Sequence, residues 1–91
     1  MTGAVIDNTA RRRFELTEQG LTAFADYHLD GDRLAIPHVE APPALRGTGT
    51  AGRLMAGLLD QARARSLKVV PICPYAKIFM QRHPEYQDLL A

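Results

Sequence analysis

The chain of 91 residues is long enough for one domain with a modest core, because a domain of this size buries only about 60–65% of the surface its unfolded chain exposes. An apolar fraction of 46% and a charged fraction of 23% fit a folded globular domain and argue against disorder. A net charge of +1 gives no electrostatic case for nucleic acid, a membrane surface or an acidic partner, and the single cysteine, Cys73, excludes an internal disulfide.

Residues 1–12 carry no repeating apolar face and are expected to form a flexible N-terminal segment, which leaves the domain to 13–91. Arg13-Phe14-Glu15-Leu16 alternates polar and apolar, as a half-buried strand does. Leu21 to Leu29, with Phe24 and Tyr27, reads as a second strand, and Asp30-Gly31-Asp32 supplies turn chemistry. Arg33 to Glu40 is the returning strand, with Leu34 and Ile36 on one face. Pro37 cannot donate to a ladder, so this strand is either at an edge or bulged there. After the stiff loop Ala41-Pro42-Pro43-Ala44 comes a helix from about Thr50 to Arg65, whose stripe Leu54, Met55, Leu58, Leu59 and Ala62 is core. Gly52 and Gly57 weaken that helix, and Gly57 marks either a close approach or nothing.

Leu67 to Cys73 is a β-branched run of strand length in which Pro71 points to an edge or a splayed end. Pro74 suits the first turn of a second helix, with Tyr75, Ile78, Phe79 and Arg82 expected on one face. His83-Pro84 stops it, and Glu85 to Leu90 packs back as a tail. The order β-β-β-α-β-α is an antiparallel strand meander followed by a β-α-β-α unit, a single-domain α+β (mixed α/β) fold.

The informative junction is Leu45-Arg46-Gly47-Thr48-Gly49-Thr50-Ala51. Helix starts carry unpaired N–H groups and a partial positive charge, and glycines let backbone approach an anion closely. Arg46 adds a cation that can fork onto phosphate oxygens, and the hydroxyl of Thr48 or Thr50 can cap the helix. Together they make an anion site suited to a pyrophosphate. Neither a Walker loop nor a dinucleotide fingerprint is present, and a plain tight turn feeding a helix has the same spacing.

Arg46-Gly47-Thr48-Gly49-Thr50-Ala51 resembles the Arg/Gln-x-x-Gly-x-Gly/Ala signature of the Gcn5-related N-acetyltransferases (GNAT). The landmark His38 to Gly47 is similar in outline to ordinary members of that family, while Leu67 to Tyr75 and Arg82-His83-Pro84-Glu85-Tyr86 resemble its short, YjdJ-type branch, with the likeness running from about Phe14 to Leu90. The resemblance implies a GNAT-like core that binds acetyl-CoA and passes its acetyl group to an unknown amine, thiol or protein acceptor. The alternative is an acyl-CoA-binding module that needs a partner to complete the acceptor site. The pantetheine arm would run along Val39, Glu40 and Ala41. The pyrophosphate would sit on the amides of Gly47 to Ala51 after Leu45 and Arg46, and Cys73 and Pro74 would lie near the thioester. Family members more often carry Thr and Val where this chain has Val39 and Ala41, and a bulkier or basic residue at Thr48.

Four side chains are candidates for the chemistry. Cys73, just before a helix, is a transient acetyl acceptor or a small buried apolar residue. Glu40 is a general base for an amine or a solvated strand-end carboxylate, and His38, two residues away, is a second base or a structural histidine. The resemblance gives Tyr75 the role of protonating the departing thiolate, and packing is its other reading. His83 is read as capping or packing the tail.

The three histidines fall on different segments, so no metal site is expected. No apolar run approaches the roughly 18 residues of a membrane span. These features lead us to expect a soluble cytoplasmic protein, a monomer or weak dimer, with no nucleic-acid or membrane partner.

Overall fold

The computed structural model describes residues 4–91. Strands β1 (Ile6–Asn8), β2 (Arg13–Glu18), β3 (Leu21–Asp30) and β4 (Arg33–Glu40) form an antiparallel meander. Helix α1 (Thr50–Ala64) crosses over to β5 (Lys68–Pro71), which pairs with β4 in parallel, and α2 (Pro74–Arg82) follows. The sheet order is β1-β2-β3-β4-β5. This is the α+β class expected from the patterning, with one more strand. Among the described residues no helix is long and apolar enough to cross a membrane.

The additional strand corrects the reading of residues 1–12. Ile6 to Asn8 pair with Glu15 to Arg13, and Val5 packs against the core. Asp7 accepts hydrogen bonds from the Tyr27 hydroxyl (2.7 Å) and from Arg65 (2.7 Å), and Gln61 donates to the Val5 carbonyl (2.7 Å). The strand pairs with its neighbour in sequence, but the side chains that tie it down, Tyr27, Gln61 and Arg65, are 20 to 58 residues away. Residues 1–3 of that segment lie outside the described residues.

Two tight turns fix the meander's register. Gln19 (φ +53°) and Gly20 (φ +74°) connect the Glu18–Leu21 pair, and two successive positive φ values match the twist of the flanking strands. At the next turn Gly31 takes φ +61° beside the Asp30–Arg33 pair, as its sequence context suggests.

Phe14, Leu16, Ala23, Ala25, Leu34 and Ile36 line one face of the sheet and meet the α1 stripe Leu54, Met55, Leu58, Leu59 and Ala62. Helix α2 packs on that same face, but rotated from its expected orientation. Ala76, Phe79 and Met80 are buried, while Tyr75 and Ile78 are exposed. A short 3-10 turn (Pro84–Leu89) brings Leu89 into the core, and Arg63 clamps it through Asp88 (2.6 Å) and the Glu85 carbonyl (2.6 Å). His83 stacks on Phe79 with ring centroids 4.0 Å apart, consistent with a packing role. The opposite sheet face, with Arg13, Glu15, Phe24, Asp26, His38 and Glu40, has no helix over it among the described residues.

Candidate functional site

The site begins where β4 and β5 part. Their ladder ends at Ile36–Pro71, and the amides of Ile72 (3.1 Å) and Cys73 (2.9 Å) both donate to the Ile36 carbonyl. Beyond that point β4 is paired only with β3. The Ile36 carbonyl faces β5, so across the trans peptide the nitrogen of Pro37, which carries no N–H, faces β3. The β3–β4 register also shifts here: His38 faces Asp26 and Ala35 faces His28, so Ile36 and Pro37 together oppose Tyr27. The proline therefore sits at a bulge in an interior strand, the second of the two alternatives its position allowed, because β5 occupies the edge.

The bulge also changes which residues face the core. Leu34 and Ile36 point inward before it, whereas Val39 does so after it, opposite the buried Ala25. His38 and Glu40 then fall on the uncovered face, where His38 Nε2 lies 3.1 Å from Glu40 Oε1 and both side chains are about half exposed.

From the end of β4 a 3-10 turn (Pro43–Leu45) anchors the chain by burying Leu45. Gly47 (φ +80°) and Gly49 (φ +86°) then adopt the left-handed conformation that glycine takes at little cost, and α1 starts at Thr50. No side chain caps this helix, so the expected threonine cap is absent. The Thr48 hydroxyl donates to the Leu45 carbonyl (2.5 Å), and the Thr50 hydroxyl donates to Glu18 (2.5 Å). The first bond of the helical ladder runs from the Arg53 amide to the Gly49 carbonyl, so the amides of Thr50, Ala51 and Gly52 precede it.

These amides border a cleft of about 390 Å³ lined by Ala41, Leu45, Arg46, Gly47, Gly49, Thr50, Ala51, Gly52 and Tyr75. Arg46 lies at its margin, with Nε donating to the Ala41 carbonyl (3.3 Å). Tyr75 closes the side toward α2. Its hydroxyl is 3.8 Å from where a Cβ on Gly52 would stand, and burial, with Cys73 adding to it, pushes its phenol above the usual range. A positive helix start, an exposed cation at the rim and apolar walls can hold an elongated anionic ligand with an apolar stem.

The structure thus gathers eight of the residues singled out in the sequence, Ala41, Leu45, Arg46, Gly47, Gly49, Thr50, Ala51 and Tyr75, around one cleft. It does not bring His38, Val39, Glu40, Thr48, Cys73 or Pro74 into the lining. Val39 leans on the core, Cys73 is part of that core, and Thr48 and Pro74 are exposed. Gly52 belongs to the lining but was read from sequence only as a weak helix position. Its place in the first turn after Gly49 was the signal available.

Glu18, which nothing in the sequence marked, holds the helix start in place. Its carboxylate accepts from Thr50 Oγ1 and from Arg53 Nε (2.8 Å) and Nη2 (2.7 Å). These bonds, Arg53 first and Thr50 second, hold its pKa down to about 2. No group of His, Cys, Asp or Glu capable of holding a metal occurs among the described residues.

A family model described as GCN5-related N-acetyl-transferase matches residues 13–89. The NMR solution structure of a GCN5-like protein from Staphylococcus aureus superposes with a TM-score of 0.66 at 21% identity, covering 100% of this chain and 87% of that one. No curated protein sequence matches the chain.

Proposed function

The chain belongs to the GCN5-related N-acetyltransferase family, and from that premise we propose that it binds acetyl-CoA in the cleft between β4 and α1 and transfers the acetyl group to an amine. The observation that carries this reading is the uncapped start of α1, set behind two left-handed glycines and opening on the cleft beside the unpaired edge of β4. The amides of Gly49 to Gly52 and the Arg46 guanidinium suit a pyrophosphate. The β5-facing edge of β4 from His38 to Ala41 offers backbone to the amides of the pantetheine arm. The landmarks around Cys73 and His83 favour the short, YjdJ-type branch.

The chemistry divides between the two faces of the sheet. Amine nitrogen attacks the thioester carbonyl, the carbon–sulfur bond breaks, and the leaving thiolate takes a proton from Tyr75 at the cleft wall. The proton lost by the amine passes to Glu40 or His38, directly or through water, from the uncovered face. The burial of Cys73 supports a packing role for it rather than that of a covalent acetyl carrier. One observation favours a second reading, an acyl-CoA-binding module completed by a partner: the face that carries Glu40 and His38 has no covering layer among the described residues.

Calorimetric titration with CoA tests the binding half. We expect a dissociation constant well below about 1 mM, lost in Gly49→Glu. A wild-type protein with no affinity in that range, or a variant that binds equally well, ends the proposal. Thiol release from acetyl-CoA with a panel of amines tests the chemical half, and tight binding without turnover on any amine selects the module.

A further inference from the structure

Building on that reading of the cleft, we infer that Glu18 and Arg53 form a strut that holds the glycine turn in its phosphate-accepting shape, with Arg53 acting as a positioning residue through the backbone of Thr48 and Gly49. Glu18 is the last residue of β2 and is fixed by its pairing with Leu21 across a tight turn. Its carboxylate engages Arg53 through both Nε and Nη2, the two-point geometry that orients a guanidinium as well as attracting it. Nη2 also donates to the Thr48 carbonyl (3.1 Å), and Nη1 stands 2.9 Å from where a Cβ on Gly49 would lie. The guanidinium therefore rests directly on the turn.

The trans peptide between Thr48 and Gly49 turns this contact into aim. Carbonyl and N–H point in opposite directions across such a peptide, so tying the Thr48 oxygen to Arg53 sends the Gly49 N–H the other way. Arg53 is not among the residues lining the cleft, whereas Gly49 is. The strut thus approaches from behind and leaves the donor facing the ligand side. Thr50, the helix's first residue and fully buried, is drawn to the same carboxylate, so one acidic side chain fixes the turn at Thr48 and the helix at Thr50.

The pair also makes a sign test possible. A carboxylate this close to a phosphate site opposes an anion on charge alone, so removing it should tighten binding if charge decides. If geometry decides, removing it weakens binding.

The experiment measures CoA affinity by calorimetry for wild type, Glu18→Gln and Arg53→Lys, with thermal unfolding of each protein in the absence of ligand. Glu18→Gln removes a negative charge and Arg53→Lys leaves the charge unchanged, yet both lose the two-point contact. Each is expected to weaken CoA by about tenfold, a change of about 1.4 kcal/mol. Glu18→Gln binding as tightly as wild type or more tightly overturns the strut, as does Arg53→Lys with unchanged affinity. Loss of thermal stability without loss of affinity in either variant overturns it too, because the contact would then serve the fold alone. These outcomes leave the cleft's assignment standing, whereas a wild-type protein that does not bind CoA removes that assignment and the strut with it.

Discussion

Replacing Gly57 by alanine sets helix propensity against a single tertiary contact. The residue lies in the middle of α1, where alanine is favoured over glycine by about 0.8–1.0 kcal/mol. A Cβ at that position would stand 2.2 Å from Val5 Cγ2 and 2.8 Å from Val5 Cβ. Carbon atoms in contact prefer roughly 3.5–4.0 Å, so Val5 must retreat by more than 1 Å, as an approximate minimum. That movement strains the Gln61–Val5 hydrogen bond, worth about 1 kcal/mol net, and exposes part of a valine whose full burial is worth about 1.5 kcal/mol. The losses exceed the propensity gain by about 1 kcal/mol, so Gly57→Ala should unfold about 4–8 °C below wild type. Thermal unfolding followed by circular dichroism measures this. The same substitution in a Val5→Gly background meets no Cβ, so there it should stabilise by up to about 1 kcal/mol. A Gly57→Ala protein that melts higher than wild type while Val5 is intact refutes the reasoning, since the contact would then cost nothing.

Gly52→Ala should behave oppositely in stability, because its Cβ would meet Phe79 at 3.7 Å and the Tyr75 hydroxyl at 3.8 Å, which are ordinary contacts. It should raise the melting temperature while weakening CoA in calorimetry, since the methyl adds bulk to the cleft wall. Acid unfolding should depend on Glu18, whose pKa falls from 4.5 in the unfolded chain to about 2 in the fold. A depressed carboxylate contributes stability that is complete above about pH 4.5 and lost as the pH falls toward 2, so Glu18→Gln should flatten the acid limb of a pH–stability curve. Arg13 beside Glu15 and Arg63 beside Asp88 lower those carboxyls in the same direction, so the limb should shrink without vanishing. At alkaline pH, burial first and the Asp7 carboxylate second push the Tyr27 phenol up to about 12. Its contribution is complete below about pH 10 and fades as the pH rises through 12, and a spectrophotometric titration should lose its step near 12 in Tyr27→Phe.

What the sequence determined by itself is what local chemistry decides. Alternation set β2 and β3, the period of α1 identified its five core residues, and Pro74 and His83-Pro84 marked the limits of α2. The turn from Arg46 to Ala51 was legible because left-handed glycines before a helix are a local requirement, and the family resemblance is what makes coenzyme A the ligand proposed for it. What only the tertiary structure decided involves partners far apart in the chain. Strand β1 pairs with β2 and is anchored by Tyr27, Gln61 and Arg65, and α2 leaves Tyr75 exposed while Ala76, Phe79 and Met80 are buried. The bulge at Pro37 reversed the faces of β4, which put His38 and Glu40 on the open side and kept them out of the cleft. Glu18 and Arg53 lie 35 residues apart, so no window of sequence joins them. The glycines of the turn could therefore be read one by one, but the atoms resting behind them appear only when the β2–β3 hairpin folds against the start of α1.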